Sequence, residues 1–147
     1  MDETVRTLEQ KFGLQPCDTE YLISELREHF PDAWAAPGYR ELIPAMPNDA
    51  NDRHVVAAAV KENCEVIVTY NLRDFPANQL QRFNITAMHP DEFLTDIYWL
   101  SPETVVQVLH EQGEALKQKK SLEEVLGTLG RFGCTRFTSL VKERLDL

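Results

Sequence analysis

The sequence predicts an α/β fold, with a small parallel sheet, helices against it and an all-helical extension at the C-terminal end. Three observations carry this. Residues 53–60 read RHVVAAAV, an Ala-rich helical stretch with Val55, Val56, Ala59 and Val60 on one stripe. Val66-Ile67-Val68 follows, a β-branched run without polar alternation, as in a parallel strand buried on both faces. After Trp99 only helical signals recur.

Taken in order, Val5, Leu8 and Phe12 recur at helical spacing and Gly13 closes the segment. Asp18 or Thr19 can cap a second helix with Tyr21, Leu22, Leu26 and Phe30 on one face, stopped by Pro31. Residues 31–40 read as loop, with a short strand open at Ala33-Trp34-Ala35, and 41–46 as a short turn ended by Pro47. The Ala-rich helix runs from Asp49 to about Asn63 and the first strand from Glu65 to Tyr70. Residues 77–83 read as helix, and Ile85 to Met88 as a second strand. Pro90-Asp91-Glu92 opens a further helix through Phe93, Leu94 and Ile97. Ser101-Pro102-Glu103 starts a long helix to about Gln118. Ser121 with Glu124 makes a capping box, and a final helix ends near Leu145. Residues 1–100 are thus the expected main domain, and 101–147 a helical extension packed on it.

A chain of 147 residues with 43% hydrophobic content supports one globular domain. No apolar run approaches the roughly 18 residues of a membrane span. The charged N-terminus MDETVRTLEQ argues against a signal or transit peptide, so the expected location is cytoplasmic, with no membrane partner. Cys17, Cys64 and Cys134 fit neither a disulfide framework nor a zinc site and read as structural thiols. The net charge is −9. Residues 1–100 carry 17 acids and 8 bases, and residues 101–147 carry 7 of each. That excludes tight, non-specific nucleic-acid binding through a broadly basic surface. It leaves room for a nuclease that meets phosphate through metal ions, or for a basic partner. The run Lys117, Lys119 and Lys120 reads as a solvated helix end. No Ser-His-Asp arrangement or phosphate-cradling Gly loop is present.

The chemistry concentrates between Asp49 and Phe75. Parallel α/β folds gather functional groups at strand C-terminal ends and neighbouring helix N-termini, so Asp52 and Asp74 can meet although 22 residues apart. Two carboxylates held together need a cation between them, and a hard divalent metal is the usual occupant. Each acid has a plain alternative. Asp52 can serve as a first-turn acid complementing the helix dipole, an effect of about 0.3–1 kcal/mol. Asp74 can close a turn with Asn71. Asp49 reads as the cap of the helix. Thr69 and Asn71 can hold Asp74, bind metal-bound water or satisfy strand-end backbone, and Arg53 is placed to contact a phosphate.

Three segments carry a resemblance to a known family: Asp52-Arg53-His54-Val55-Val56-Ala57-Ala58-Ala59; Val66-Ile67-Val68-Thr69-Tyr70-Asn71-Leu72-Arg73-Asp74-Phe75; and His89-Pro90-Asp91-Glu92-Phe93-Leu94. In this order and spacing the chain resembles the PIN-domain superfamily, the nuclease fold of VapC-type toxins. The resemblance implies a parallel sheet and an acidic cluster in which Asp52 and Asp74 are metal ligands. Asp2-Glu3-Thr4-Val5-Arg6-Thr7-Leu8, followed by Lys11-Phe12-Gly13-Leu14, is similar to the family's helix motif and implies Glu3 as a third ligand. It further implies Mg²⁺ or Mn²⁺ as cofactor, RNA as substrate, endoribonuclease activity and an antitoxin as partner. The family's first strand, with its own Asp, precedes Glu3 in the pattern and has no counterpart here. The expectation is therefore an incomplete sheet whose open strand is compensated by dimerisation, swapping or rearrangement. The rival expectation is a catalytically incompetent PIN-like remnant acting as a protein-binding module.

Overall fold

A computed structural model describes residues 2–35, 37–116 and 118–147, with the side chains of residues 2–4, 7 and 12 outside the description. Lys117 of the basic run therefore lies outside the described residues. The chain forms two compact units, residues 1–37 and 38–147.

In the first unit, α1 (Asp2–Phe12) ends where Gly13 takes φ +69°, a left-handed value open to glycine, and the Leu14 N–H donates back to Leu8 at 3.2 Å. The second helix, α2 (Pro16–His29), begins earlier than its expected caps. Proline at the first helical position sets the start. Asp18 instead sits in the first turn and accepts from the Gln15 N–H at 3.3 Å. Buried Thr19 places its hydroxyl 2.8 Å from Glu9 Oε1, joining α2 to α1. The strand left open at 33–35 does not form. Pro31 starts a single 3₁₀ turn, Pro31–Ala33, and Trp34 is merely extended.

The second unit contains α3 (Arg53–Lys61), β1 (Val66–Val68), α4 (Ala77–Leu80), β2 (Thr86–Met88), α5 (Pro90–Leu100), α6 (Pro102–Ala115), α7 (Leu122–Arg131) and α8 (Thr135–Leu145). A 3₁₀ helix, Pro37–Ala45, takes in most of the short turn expected at 41–46 and extends it back into the stretch expected as loop. The two strands pair in parallel, with Val66 opposite Thr86 and Val68 opposite Met88. The molecule is thus a mostly helical α/β protein with a two-stranded parallel sheet.

One expectation about β1 is corrected. Ile67 is 6% exposed, but Val66 is 36% and Val68 43% exposed, so only one face of the strand is buried. Side chains alternate across a strand, and α3 covers the face that Ile67 occupies. A run of three β-branched residues does not disclose that the other face lacks a cover.

Two apolar clusters hold this unit. The first joins Met46, Val56, Ala57, Ile67, Phe75, Leu80 and Ile85 around α3 and the sheet. The second joins Tyr98, Leu109, Val125, Leu126, Phe137 and Val141 among α5 to α8. Each fully buried aliphatic or aromatic side chain contributes about 1.5–3 kcal/mol. Of the three thiols, Cys134 is packed in the second cluster, whereas Cys17 and Cys64 are exposed.

A single carboxylate fastens α8 to α5. Asp91 Oδ1 accepts from the Phe137 N–H at 2.8 Å and Oδ2 from the Arg136 N–H at 3.0 Å. These are first-turn donors of α8, which have no partner within their own helix. Ser121 and Glu124 form the capping box expected at the start of α7, at 3.2 and 2.8 Å.

Candidate functional site

The site is built by the α3–β1 unit. Four residues, 62–65, separate the end of α3 from the start of β1, so the helix packs back along the strand. The N-terminus of α3 and the C-terminal end of β1 therefore lie at the same end of the layer. Asp52 occupies the first of these positions, and Asp74 lies in the turn that follows β1.

Asp52 is half-buried and is the residue from which α3 starts, at φ −104° and ψ 2°. Its side chain makes no cap bond to the helix backbone, and it is engaged elsewhere. Asp49, expected as the cap, belongs to the preceding turn instead: its Oδ1 accepts from the Asn51 N–H at 3.0 Å, and its carbonyl accepts from Asp52. Arg53 donates from Nε to the Asn48 carbonyl at 3.2 Å, so this nitrogen braces the turn. His54 Nδ1 lies 2.8 Å from the Asn51 carbonyl.

Asp74 closes the 3₁₀ turn Leu72–Asp74 just beyond β1. Asn71 Nδ2 donates to its Oδ2, and Arg73 Nε lies 3.4 Å from its Oδ1. The Arg73 side chain is 91% exposed, so that contact is screened by water and weak. Thr69 Oγ1 accepts from the Asn71 N–H at 3.1 Å, while the Thr69 N–H continues the ladder to Met88 at 2.9 Å. Thr69 thus fixes Asn71, and Asn71 fixes the carboxylate. A carboxylate has about four lone-pair sites, so these contacts orient Asp74 without filling it.

Glu3 lies in α1, in the other unit, and its side chain is outside the described residues. Among the described residues, no group of three His, Cys, Asp or Glu side chains converges closely enough to hold a metal.

Two neighbours were not singled out from the sequence as site residues. Asn48 is 3% exposed, and its Oδ1 and Nδ2 have no hydrogen-bond partner among the described residues. An unpaired buried carboxamide costs about 1–3 kcal/mol, which makes it unusual four residues before Asp52. The only signal in the sequence is an Asn in a polar turn, common in any loop. At the end of β1, Tyr70 meets His89 edge-on at 5.1 Å between ring centres. Desolvation, then the neighbouring Cys134 thiol, raise the Tyr70 pKa above the ordinary tyrosine value.

No described helix is long and apolar enough to cross a membrane. Residues 90–143, from α5 into α8, match the sequence family described as the VapC50 C-terminal domain. A 72-residue stretch is 51% identical to the protein named "Putative ribonuclease VapC50" of Mycobacterium tuberculosis (strain ATCC 25618 / H37Rv), covering 49% of this chain and 43% of that protein. The chain thus spans less than half the length of this relative. No solved structure matches. Parts of the chain are thus similar to VapC50 and to its C-terminal domain.

Proposed function

We propose that this chain carries the acidic site of a metal-dependent endoribonuclease of PIN type, acting in the cytoplasm as the toxin of a toxin–antitoxin pair. The observation that supports it best is that Asp52 starts α3 and Asp74 lies in the turn after β1, the strand on which α3 packs, with Asp74 oriented by Asn71. The name of the relative, a ribonuclease, agrees with this chemistry.

The donors suit Mg²⁺ or Mn²⁺ in kind, since both ions prefer hard carboxylate oxygens. They also suit Mg²⁺ in number, because that ion is usually held by one or two carboxylates together with water and substrate phosphate. Asp52 and Asp74 would hold it. When bound, such an ion neutralises phosphodiester charge and acidifies coordinated water. The protein's own part is positioning: Thr69 and Asn71 keep the Asp74 carboxylate aimed, and Arg53 stiffens the turn that presents Asp52. The substrate is RNA and the protein partner an antitoxin. The exposed Val66 and Val68 favour the further expectation that β1 gains a covering partner by dimerisation.

The second reading is a PIN-like remnant that binds a protein partner without catalysis. It draws on the finding that no group of three metal-binding side chains converges among the described residues. Cleavage of a mixed RNA pool in Mn²⁺ separates the two. The ribonuclease reading predicts cleavage by the wild type, lost in both Asp52→Asn and Asp74→Asn. Equal cleavage by all three would overturn it, and no cleavage by a folded wild type would favour the remnant.

A further inference from the structure

Between α7 and α8 lies a groove of about 450 Å³ into which Lys120, Arg131 and Lys142 converge. They come from three places in the chain: the linker before α7, the end of α7 and the last turns of α8. Among the described residues none of the three forms an ion pair, whereas nearby Lys119 is paired with Glu114 and Arg144 with Glu103. Glu123 and Glu124 also line the groove. Glu124 is committed to the helix start, where its Oε2 accepts from the Ser121 N–H at 2.8 Å. Arg131 is steadied by Thr128, whose hydroxyl oxygen lies 3.1 Å from one guanidinium nitrogen.

Basic residues in the last turn of a helix complement its dipole, and this accounts for Arg131 and Lys142 one at a time. It does not account for their meeting Lys120 in one groove. With Glu124 committed to the helix start, the groove holds three cations against one further carboxylate, Glu123, and this excess of positive charge points to an anionic ligand. A fixed guanidinium between two mobile ammonium groups suits phosphate oxygens: arginine binds them through its planar fork and lysine as a point charge. The rest of the chain is acidic, so such a grip would be local and would position a strand rather than hold nucleic acid everywhere.

We propose that this groove binds the phosphodiester backbone of single-stranded RNA, so that the C-terminal helices hold the strand whose cleavage is assigned to the acidic site. The substrate class rests on the ribonuclease reading, but the binding itself does not.

The test is fluorescence anisotropy with a labelled single-stranded RNA of roughly 15 nucleotides, a length that a small single-strand site covers. Measurements in EDTA, so that no metal-dependent cleavage intervenes, run from about 50 to about 200 mM salt, where counterion release dominates. The variant Lys120→Gln/Arg131→Gln/Lys142→Gln should bind more weakly, and its slope of log affinity against log salt should be shallower by about 2, at roughly 0.7 for each phosphate contact on a single strand. Over that fourfold salt range the three contacts correspond to about a 20-fold loss of affinity in the wild type. Lys142→Gln alone should flatten the slope by about 0.7, which keeps the test decisive should the triple variant not fold. Lys119→Gln should leave the slope unchanged.

Identical slopes for Lys142→Gln, the triple variant and the wild type would overturn the proposal. So would polyglutamate competing as well as RNA through the same three residues, which would mark an acidic protein as the ligand. Groove-dependent RNA binding with no cleavage would sustain this proposal while the ribonuclease reading fails. Cleavage by a groove-blind protein would do the reverse.

Discussion

Replacing Asp91 by alanine should loosen the C-terminal helices more than any other single change on the surface of α5. Its carboxylate accepts from two backbone N–H groups of α8, at 2.8 and 3.0 Å, across more than forty residues of chain. A hydrogen bond to a charged group is worth about 1.5–3 kcal/mol net, and loss of a helix cap costs about 0.5–2 kcal/mol. Asp91 is half-exposed, so the lower part of these ranges applies, and about 2–3 kcal/mol is expected for the pair. For a cooperative unit of this size each kcal/mol moves the melting temperature by roughly 4 °C, giving a fall of about 8–12 °C. Glu92→Ala is the matched control, because Glu92 shares the first turn of α5 but is exposed and, among the described residues, forms no hydrogen bond or ion pair with α8. It should lose only the dipole contribution, about 0.3–1 kcal/mol. Asp91→Asn retains one good acceptor and should fall between the two. The assay is thermal unfolding followed by circular dichroism or calorimetry. If Asp91→Ala melts within about 2 °C of Glu92→Ala, the clasp contributes nothing beyond the dipole and the reasoning fails.

Two further outcomes follow from geometry. A Cβ at Gly113 would collide with the Lys120 carbonyl oxygen and stand 3.3 Å from Val125 Cγ2, so Gly113→Ala should destabilise by about 1–3 kcal/mol despite the higher helix propensity of alanine. At Gly127 the added Cβ would meet only Arg131 at 3.9 Å, so Gly127→Ala should be stabilising by up to about 1 kcal/mol; denaturant melts of both variants check the pair of signs. Tyr70 should ionise above the ordinary value of 10.0, because desolvation and the neighbouring Cys134 thiol both disfavour the phenolate. An absorbance titration of the wild type against Tyr70→Phe isolates it, and Cys134→Ala should bring it down toward 10.0. A Tyr70 that titrates at or below that value would contradict the contact.

How much of this was legible in the sequence depended on the range of the interactions. Local signals read well. Gly13 closed α1, Ser121 and Glu124 capped α7, and the Ala-rich stripe ran straight into β1, because each depends on residues a few positions apart. Longer-range roles did not. Asp91 reads as an ordinary first-turn acid, since the N–H groups it caps lie far along the chain. Val66-Ile67-Val68 identified a strand but not which of its faces is covered. The sequence puts the start of the Ala-rich helix at Asp49, four residues before Arg53, because Asp49 and Asp52 are both good helix-start residues and only the folded turn shows that Asp49 caps Asn51 instead. Asn48 carries no sequence signal at all, because burial is what makes its unpaired carboxamide notable. The sequence also shows the short loop between α3 and the strand it packs on, and from that loop alone comes the expectation that Asp52 and Asp74 lie near one another.

The central claim is that Asp52 and Asp74 together hold a divalent ion. Calorimetric titration of Mn²⁺ into the intact chain tests it without requiring an RNA target. The account predicts a saturable site in the wild type that disappears in both Asp52→Asn and Asp74→Asn, with each variant folded as the wild type is. Binding of Mn²⁺ that survives both substitutions, or a folded wild type with no site to lose, would contradict it.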